Sequence, residues 1–376
     1  MRKRVFLFNP LILIIIVTTI LFGSCDLIRP IIYNVPGAKD YKIFPFRTIS
    51  RGDTCFCFKE PSTDMGLGRK ISVDDFSIHT NKMTLDQLAD SYGTLSFLII
   101  RNDTLIYKKY AEGFSESSVM TSFSIAKSFT SALLGIAIKE GRIKSVQQPV
   151  CDFIPELANK GFQNVKIIHL LKHTSGIGNN SGSSSSQNYY GRDLREDVLE
   201  LKVQKKPGEH YQYENSNTEL LGLILERATG QSLSVLLEEK IWKPLGMEYD
   251  ATWSIDNKKD NGIEKAFCGI NARSIDFARF GRLYLKKGNW NGKQIIPEQW
   301  VKESTHRDTL DGGKWNYQYH WLLGPKEYGS FFAVGLYGQF IYIYPKKNVV
   351  IVRNAKTNIH KNTMWKYAML QIIDQL

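Results

Sequence analysis

The sequence is poor in the residue patterns that metal and redox sites require. It has only 5 cysteines in 376 residues, and Cys55-Phe-Cys57 lacks the spacing of a C-x-x-C redox pair. His169 and His173 have the spacing of helical metal ligands, but Leu170 stands where the zinc-protease motif needs a glutamate. We therefore expect no metal and no cofactor. Structural roles are favoured for the cysteines at 55, 57, 151 and 268, whose disulfide state cannot be read from sequence.

The chain also lacks internal repeats and concentrated blocks of positive charge. Its formal net charge is +12, but the lysines are dispersed, which argues against a nucleic-acid partner. The excess charge suits an envelope of anionic polymers and lipid head groups, and it equally suits simple solubility. No pattern in the sequence sets the oligomeric state.

The N-terminus has the pattern of an export signal. Residues 2–4 are basic, an apolar run covers 11–22, and Gly23-Ser24-Cys25 follows. This order is typical of a secretory signal, and the small residues before Cys25 resemble the lipobox of bacterial lipoproteins, whose cysteine is diacylated. We expect residues 1–24 to be removed and the exported chain to be held by lipid on Cys25, on the periplasmic or outer face of a bacterial cell envelope. An uncleaved membrane anchor is the alternative, although the run is short for a full span.

The patterns after Cys25 predict a stalk and irregular wrap over residues 25–82 and an α+β domain over 83–376. Strand patterns at both ends of that domain, 83–115 and 315–376, enclose a helical part at about 120–305. This order favours an antiparallel sheet flanked by helices with an inserted all-helical subdomain. The individual patterns predict strands at 95–101, 104–110, 317–323, 330–334, 339–344 and 348–353, and helices at 124–140, 218–229, 231–242, 274–287, 297–304 and 361–375.

The helix predicted at 124–140 is the most informative stretch. Its apolar positions have helical spacing: Ile125, Phe129, Leu133 and Ile136. The shortage of charge between Lys127 and Lys139 predicts a helix that is buried on most sides. Gly141 has the position and chemistry of a helix stop.

Ser124 and Lys127 form an S-x-x-K pair at the start of this helix. Residues three apart lie on one helix face, about 5–6 Å apart at Cβ. A serine hydroxyl is a weak nucleophile without a base, and burial favours the neutral lysine amine that can take its proton. Ser124 is therefore the candidate nucleophile and Lys127 its base. A chance motif with a solvated lysine is the alternative, because short motifs have many false matches.

Further motifs follow in an order that resembles the serine β-lactamase and penicillin-binding-protein superfamily. A Y-x-N motif is present at Tyr213-Glu-Asn215. The flanking signatures are Leu170-Leu-Lys-His-Thr-Ser-Gly176, Pro244-Leu-Gly-Met247 and Asn271-Ala-Arg-Ser-Ile-Asp-Phe-Ala-Arg-Phe-Gly281. Together these motifs cover roughly residues 83–376, and they are most similar to the class C β-lactamase-related branch with its D,D-peptidases, esterases and 6-aminohexanoate-dimer hydrolases. The resemblance implies a β-lactamase/transpeptidase-like fold and a serine hydrolase.

The resemblance also implies roles for the remaining site residues. Tyr213 would share proton handling with Ser124 and Lys127, and Asn215 would hold Lys127 and a substrate amide. The third family motif, usually Lys-Thr-Gly, is here Gly335-Leu-Tyr-Gly338-Gln339.

In this third motif, Leu336 occupies the position of the usual cation. Gly338 would let the backbone approach the substrate, and Tyr337 would offer a ring face and a hydroxyl. The backbone N–H of Gln339 would join that of Ser124 in an oxyanion hole.

These expectations describe an envelope-anchored serine hydrolase that forms an acyl-enzyme on Ser124. It would cleave an ester or amide in a small molecule or peptide, and it would be a poor β-lactamase. A substrate carboxylate would lose a charge-assisted hydrogen bond worth about 1.5–3 kcal/mol, since Leu336 replaces the cation. The alternative is a catalytically idle envelope lipoprotein that only binds its ligand, but the intact Ser124, Lys127 and Tyr213 set favours an enzyme.

Overall fold

The computed structural model describes residues 35–75, 81–178, 189–357 and 362–376. The predicted signal 1–24, Cys25 and most of the Gly- and Ser-rich segment before Tyr189 lie outside the described residues. The strands are β1 Phe46–Ile49, β2 Ser72–Asp74, β3 Lys82–Thr84, β4 Thr94–Arg101, β5 Thr104–Tyr110, β6 Met120–Thr121, β7 Ala251–Ser254, β8 Ile270–Ala272, β9 Asn289–Trp290, β10 Lys293–Gln294, β11 Tyr317–Gln318, β12 Trp321–Leu323, β13 Phe331–Gly335, β14 Gln339–Tyr344 and β15 Val349–Ala355.

The α-helices are α1 Leu67–Lys70, α2 Leu85–Asp90, α3 Ala126–Lys139, α4 Ile167–Leu171, α5 Leu194–Leu199, α6 Asn215–Thr229, α7 Leu233–Leu237, α8 Ser274–Leu285, α9 Glu298–Thr305 and α10 Asn362–Gln375. Short 3₁₀ turns that bear on the site are Asp40–Lys42, Phe123–Ile125 and Leu336–Gly338. The helix predicted at 231–242 consists of two parts. The α-helix α7 ends at Leu237, and a π-helical turn follows directly at Glu238–Trp242. The helix predicted from residue 218 begins earlier, at Asn215.

The central sheet joins the two ends of the domain. Its seven strands have the order β11-β12-β13-β14-β15-β4-β5, and every neighbouring pair is antiparallel. β15, near the C-terminus, pairs with β4 of the first hairpin. The predicted α+β fold, with an antiparallel sheet drawn from both ends and helices between them, is confirmed. The inserted part at about 120–305 is not all-helical as predicted, because it also contains the short strands β6 to β10.

Alternation along the central strands divides the apolar side chains between two cores. Val350 and Val352 of β15 lie in the large core with Phe129 of α3. Val349 and Ile351 point the other way, into the core that α10 covers. Because successive strand residues face opposite sides of a sheet, the sheet is a middle layer, with α10 on one face and α8 and α3 on the other.

A second sheet connects the helical part to the segment before residue 83. Its four strands have the order β1-β7-β8-β6, and β1 pairs with β7 over Phe46–Ile49. The region predicted as an irregular wrap therefore contributes a strand. β6 leads directly into the turn that carries Ser124.

Helix α3 is buried as its pattern predicts. Each residue from Ala126 to Ala137 is buried. At Gly135 a Cβ atom would lie 2.5 Å from the ring of Trp300 in α9, so glycine is what permits this close helix contact. Among the described residues, no single helix is long and apolar enough to cross a membrane, and α6 with Leu233–Trp242 meets the criteria only as a pair bent by 80°.

Candidate active site

Ser124 lies in a strained turn between β6 and α3. The preceding residue, Phe123, has a φ of +43°, a left-handed conformation that is costly for a bulky side chain. The Ser122 N–H donates to the carbonyl of Ile270 at 2.8 Å, which fixes the turn to β8. Such strain persists only where the surroundings impose it, and it concentrates at functional sites.

Lys127 is the buried partner of Ser124. Its side chain is only 1% exposed, and Nζ lies 3.1 Å from Ser124 Oγ. Nζ also donates to the carbonyl of Phe267 at 2.9 Å. Within the described ranges no carboxylate pairs with Lys127, whose surroundings are a hydroxyl, a carbonyl and the ring faces of Tyr213 and Phe267. The i, i+3 spacing thus brings the predicted nucleophile and base into hydrogen-bond contact.

Tyr213 stands on the open side of this pair. Its ring centroid lies 5.1 Å from Lys127 Nζ, and the residue is 43% exposed. Its hydroxyl has no hydrogen-bond partner in the part of the chain that the structure describes, so the oxygen is free to meet a substrate. Asn215 is half-buried at the first turn of α6. The predicted contact between Asn215 and Lys127 is not among the hydrogen bonds of the described residues, since both bonds of Nζ go to Ser124 and Phe267.

The third-motif turn lies directly against the turn of Ser124. A Cβ atom on Gly335 would lie 2.4 Å from the carbonyl oxygen of Ser122, so a larger residue there would separate the two. Tyr337 has a φ of +66°, and the buried Arg353 donates to the carbonyls of Tyr337 and Gly338 at 3.1 and 2.7 Å. Gln339 then begins β14. The predicted oxyanion-hole residues therefore belong to two adjoining turns, each with a left-handed non-glycine residue.

Comparison with known proteins gives the context for this geometry. The family model described as Beta-lactamase matches residues 84–372, more than three quarters of the chain. The chain belongs to this family. Its serine, lysine and tyrosine motifs are thus found in a β-lactamase-fold hydrolase, as the motif order predicts.

The relatives of this β-lactamase-family chain include a hydrolase and a penicillin-binding-protein homologue. The 6-aminohexanoate-dimer hydrolase of Paenarthrobacter ureafaciens is 26% identical over 303 residues, which are 74% of this chain and 76% of that protein. A structure from Bacillus anthracis, provisionally assigned as a 6-aminohexanoate-dimer hydrolase, is 26% identical with a TM-score of 0.77 and covers 90% of this chain and 92% of its own. The octameric penicillin-binding protein homologue of Pyrococcus abyssi shares the fold, with 20% identity, a TM-score of 0.59 and coverage of 75% and 73%.

In the present β-lactamase-family chain, the segment before β1 packs against the third-motif residues Gly335–Gln339. These residues are called the third-motif wall below. The Tyr337 hydroxyl donates to the carbonyl of Pro36, and the Tyr190 hydroxyl donates to the Asp40 carboxylate at 2.7 Å. The Tyr337 ring packs edge-on against Phe123 with centroids 5.5 Å apart. Burial, and secondarily the nearby Asp40 charge, raises the pKa of Tyr337. The hydroxyl predicted to face substrate is therefore already bonded to the chain's own N-terminal segment.

The aromatic cluster around this segment has no counterpart in the motifs. Its buried members include Phe44, Phe123, Tyr189, Tyr190 and Phe267. Tyr189 and Tyr190, which follow the Gly- and Ser-rich segment, are both buried in this cluster. Leu336 stays 37% exposed at the rim. Lys346 and Lys347 are far from the rim along β14, where they bond to the carbonyls of Glu327 and of residues 373 and 374. Neither Lys346 nor Lys347 therefore takes the place of the cation that Leu336 replaces.

A buried carboxyl supports the turn at Ala266 and Phe267, whose carbonyl accepts from Lys127. Glu219 Oε2 accepts from the Ala266 N–H at 3.0 Å, next to the Phe267 carbonyl that binds Lys127. Burial raises the pKa of Glu219 to about 8, although Lys265 opposes this shift. The sequence does not distinguish Glu219 from the other polar residues of the amphipathic helix α6.

The histidines and cysteines within the described ranges show no metal or disulfide arrangement. His169 Nδ1 accepts from the Lys166 N–H at 3.1 Å, whereas the His173 ring belongs to a separate polar chain described below. No group of three or more possible metal ligands is present in the described ranges. The four described cysteines are free thiols, at 55, 57, 151 and 268.

Proposed function

We propose that this chain is an envelope-anchored serine hydrolase that acylates Ser124 and cleaves uncharged or cationic esters and short amides. The observation that carries the proposal is the 3.1 Å contact between Lys127 Nζ and Ser124 Oγ at the mouth of a buried helix. A positioned base is what converts serine into a nucleophile. The relative named 6-aminohexanoate-dimer hydrolase supports hydrolysis of a small acyl compound.

The proposed reaction uses the residues in sequence. Ser124 Oγ attacks the acyl carbon while its proton passes to Lys127. The tetrahedral oxyanion is stabilised by the N–H groups of Ser124 and Gln339, donors that are in place before the charge develops. Tyr213 donates a proton to the leaving alcohol or amine as the carbon–heteroatom bond breaks. Water then attacks the acyl-enzyme as its proton passes to the Tyr213 oxygen. The bond between the acyl carbon and Oγ breaks, and the proton held by Lys127 returns to Ser124 Oγ.

The proposed substrate preference follows from the third-motif wall. Leu336 stands at the position of the family's cation, and an aromatic cluster with the Asp40 carboxylate lies behind it. An anionic substrate group would leave water without a charged partner, which is costly. We therefore propose poor turnover of β-lactams, whose recognition in the family relies on that cation, and better turnover of neutral or cationic acyl compounds.

Labelling with a fluorophosphonate probe tests the nucleophile. The purified protein should gain one adduct by intact mass, on the peptide that contains Ser124, and Ser124→Ala should gain none. Ser131→Ala is the matched control, because this buried serine lies on α3 and its hydroxyl has no partner among the described residues. A Ser124→Ala protein that is still labelled, or a parent that is never labelled, would contradict the enzyme proposal. The second result would favour an idle binding protein.

The anchor is proposed from the leader pattern alone, because Cys25 lies outside the described residues. Cells fed an alkyne fatty acid should label the parent and not Cys25→Ser. Cys57→Ser, which removes an exposed thiol of the described part, should stay labelled. Intact mass of membrane-extracted protein should show a diacylated Cys25 at the N-terminus, whereas an unmodified chain that begins at Met1 would indicate an uncleaved anchor.

A further inference from the structure

A continuous chain of buried polar side chains lies behind the Y-x-N segment. His173 Nε2 is 3.0 Å from the Tyr317 hydroxyl, which is 3.0 Å from His320 Nδ1. His320 Nε2 in turn lies 3.3 Å from Thr218 Oγ1 of α6. All four residues are buried. His173 and His320 both adopt left-handed backbone conformations, with φ of +57° and +67°.

One backbone group sets the proton positions along this chain. The Glu214 N–H lies 3.2 Å from His173 Nδ1, and the side-chain amide nitrogen of Asn217 lies 3.1 Å from the same atom. A backbone N–H can only donate. His173 Nδ1 must therefore accept, so the ring proton lies on Nε2 and is donated to the Tyr317 oxygen. The Tyr317 O–H is then donated to His320 Nδ1, which leaves the His320 Nε2–H for Thr218. Every ring nitrogen has a complementary partner in this single tautomer.

Both rings are suited to staying neutral. Burial, with smaller contributions from His320 and Lys127, holds the pKa of His173 well below its usual range. Burial and the Lys127 charge do the same to the pKa of His320. A protonated His173 would lose its acceptor nitrogen and place a buried positive charge behind Lys127. The hydrogen-bond pattern and the surroundings thus favour the same form.

Nδ1 of His173 accepts a hydrogen bond from the N–H of Glu214, the residue between Tyr213 and Asn215. Besides binding the Glu214 N–H through its ring, His173 accepts from the Gln212 N–H through its own carbonyl at 2.8 Å. Its ring also lies 4.6 Å from the Tyr213 ring, centroid to centroid. The backbone on both sides of Tyr213 is therefore bonded to a single residue, while the Tyr213 hydroxyl is left free.

We propose that His173 is a positioning residue for the reaction, which sets the place of Tyr213 over Lys127 through the bond from the Glu214 N–H to Nδ1. The inference rests on the proposed function, because it assumes that Tyr213 handles protons for Ser124. His173 does not touch the reacting atoms. A displacement of Tyr213 by about 1 Å is enough to cost two orders of magnitude in rate.

Two substitutions at His173 test the roles of Nδ1 and Nε2 separately. In His173→Asn the amide oxygen occupies the place of Nδ1 and can accept from Glu214, and asparagine tolerates a positive φ better than most residues. In His173→Gln the amide reaches the place of Nε2 and leaves Glu214 without its acceptor. For a neutral ester, we expect kcat of the Asn variant within about fivefold of the parent, and kcat of the Gln variant reduced about ten- to a hundredfold. KM should change little in either, since the substrate is not contacted.

Tyr317→Phe provides the third measurement. It removes the hydroxyl on the Nε2 side and leaves the Glu214 bond in place, so we expect a lower melting temperature with kcat reduced less than about fivefold. Rates are expressed per folded molecule from the unfolding transition of each variant. Equal kcat for His173→Asn and His173→Gln, or a Tyr317→Phe loss as large as the Gln loss, would overturn the proposal. A parent that neither turns over ester nor reacts with the serine probe would instead overturn the proposed function.

Discussion

The two walls of the candidate cleft are built in opposite ways. The wall that carries Lys127 and Tyr213 is backed by hydrogen bonds, namely the Phe267 carbonyl on Lys127 and the His173 chain behind Tyr213. The wall of the third motif is backed by aromatic rings and by Arg353, whose guanidinium lies 3.6 Å from the Trp365 ring centroid. The first wall is suited to moving protons and the second to excluding charge.

The difference separates chemistry from selection. Proton transfer needs donors and acceptors at fixed distances, and the first wall supplies them with few open positions. Selection by charge needs only the presence or absence of a charged partner. The second wall has Leu336 at the position where the resemblance of the third motif implies a cation. Changes in the first wall should therefore alter kcat for every substrate, whereas changes in the second should alter the ranking of substrates.

The largest effect, on kcat, is expected from removing the proton-handling groups of the first wall. Lys127→Ala and Tyr213→Phe should each lower kcat by about 10²–10⁴, the usual range for loss of a general acid or base. Residues that act as a unit give non-additive losses. The kcat of the double variant should therefore be only slightly lower than that of the less active single variant. Steady-state kinetics on a neutral ester measure this, with Lys139→Ala, an exposed lysine of the same helix, as the control. Barrier increments that simply add would show that the two residues serve separate steps.

The next largest effect is expected from giving the second wall a cation. Leu336→Lys should raise kcat/KM for a cephalosporin or a carboxylate-bearing ester by about ten- to a hundredfold, which corresponds to about 1.5–3 kcal/mol for one charge-assisted hydrogen bond. The neutral ester should change by less than about threefold. Leu336→Met keeps the length without the charge and should leave both substrates unchanged. If the parent already hydrolyses the cephalosporin efficiently, the charge-exclusion argument fails.

The parts of this molecule that sequence predicts are those with a local period. Ile125, Phe129 and Leu133 recur at helical spacing, and α3 is the buried helix that they indicate. The S-x-x-K spacing likewise places Ser124 beside Lys127 because three residues span about one turn. Most strands of the central sheet follow from short apolar runs bounded by turns, within one or two residues of their observed ends. The single strand predicted at 317–323 is wrong, because the chain turns at Tyr319 and His320, which have positive φ, and forms the antiparallel pair β11 and β12.

The parts that sequence does not predict depend on contacts between distant residues. Tyr337 bonds to Pro36 across 301 positions, and Tyr317 meets His173 across 144. No period links such pairs, so the sequence indicates neither the bond between Tyr337 and Pro36 nor the contact between Tyr317 and His320. His173 does lie within the Leu170–Gly176 signature, which was the one available signal that its ring matters. Left-handed backbone at Phe123 and Tyr337 was equally unpredictable, since non-glycine residues give no warning of it.

A smaller effect, on stability, is expected from the carboxyl behind the first wall. Burial raises the pKa of Glu219 from 4.5 to about 8. Between these values the folded chain binds a proton that the unfolded chain has released, so the contribution of Glu219 to stability is present at low pH and lost as pH rises. One group can contribute up to about 1.4 kcal/mol per pH unit in that window.

Glu219→Gln removes this dependence. We expect the free energy of unfolding of the parent, relative to the variant, to fall by about 1 kcal/mol between pH 6 and pH 7. Urea titrations at the two pH values measure it, and the comparison cancels the histidines that both proteins share. Glu226→Gln, on the same helix and paired with Arg195, should follow the parent. An unchanged difference between pH 6 and pH 7 would mean that Glu219 is ionised in the folded chain.

The smallest effect is expected from the second wall's contact with the N-terminal segment. Tyr337→Phe keeps the ring against Phe123 and removes only the hydroxyl that donates to Pro36. Loss of one such bond costs about 0.5–1.5 kcal/mol, most of it in docking of the segment that contains Lys39 and Lys42. Limited trypsin digestion should therefore cleave after these lysines several-fold faster in the variant, while kcat on a neutral ester changes less than twofold. Tyr328→Phe, which breaks a surface bond to Asp374, is the control and should digest like the parent. If Tyr337→Phe instead leaves digestion unchanged and raises KM several-fold for the ester, the hydroxyl is released from Pro36 to bind substrate, and the second wall is less apolar than its contacts indicate.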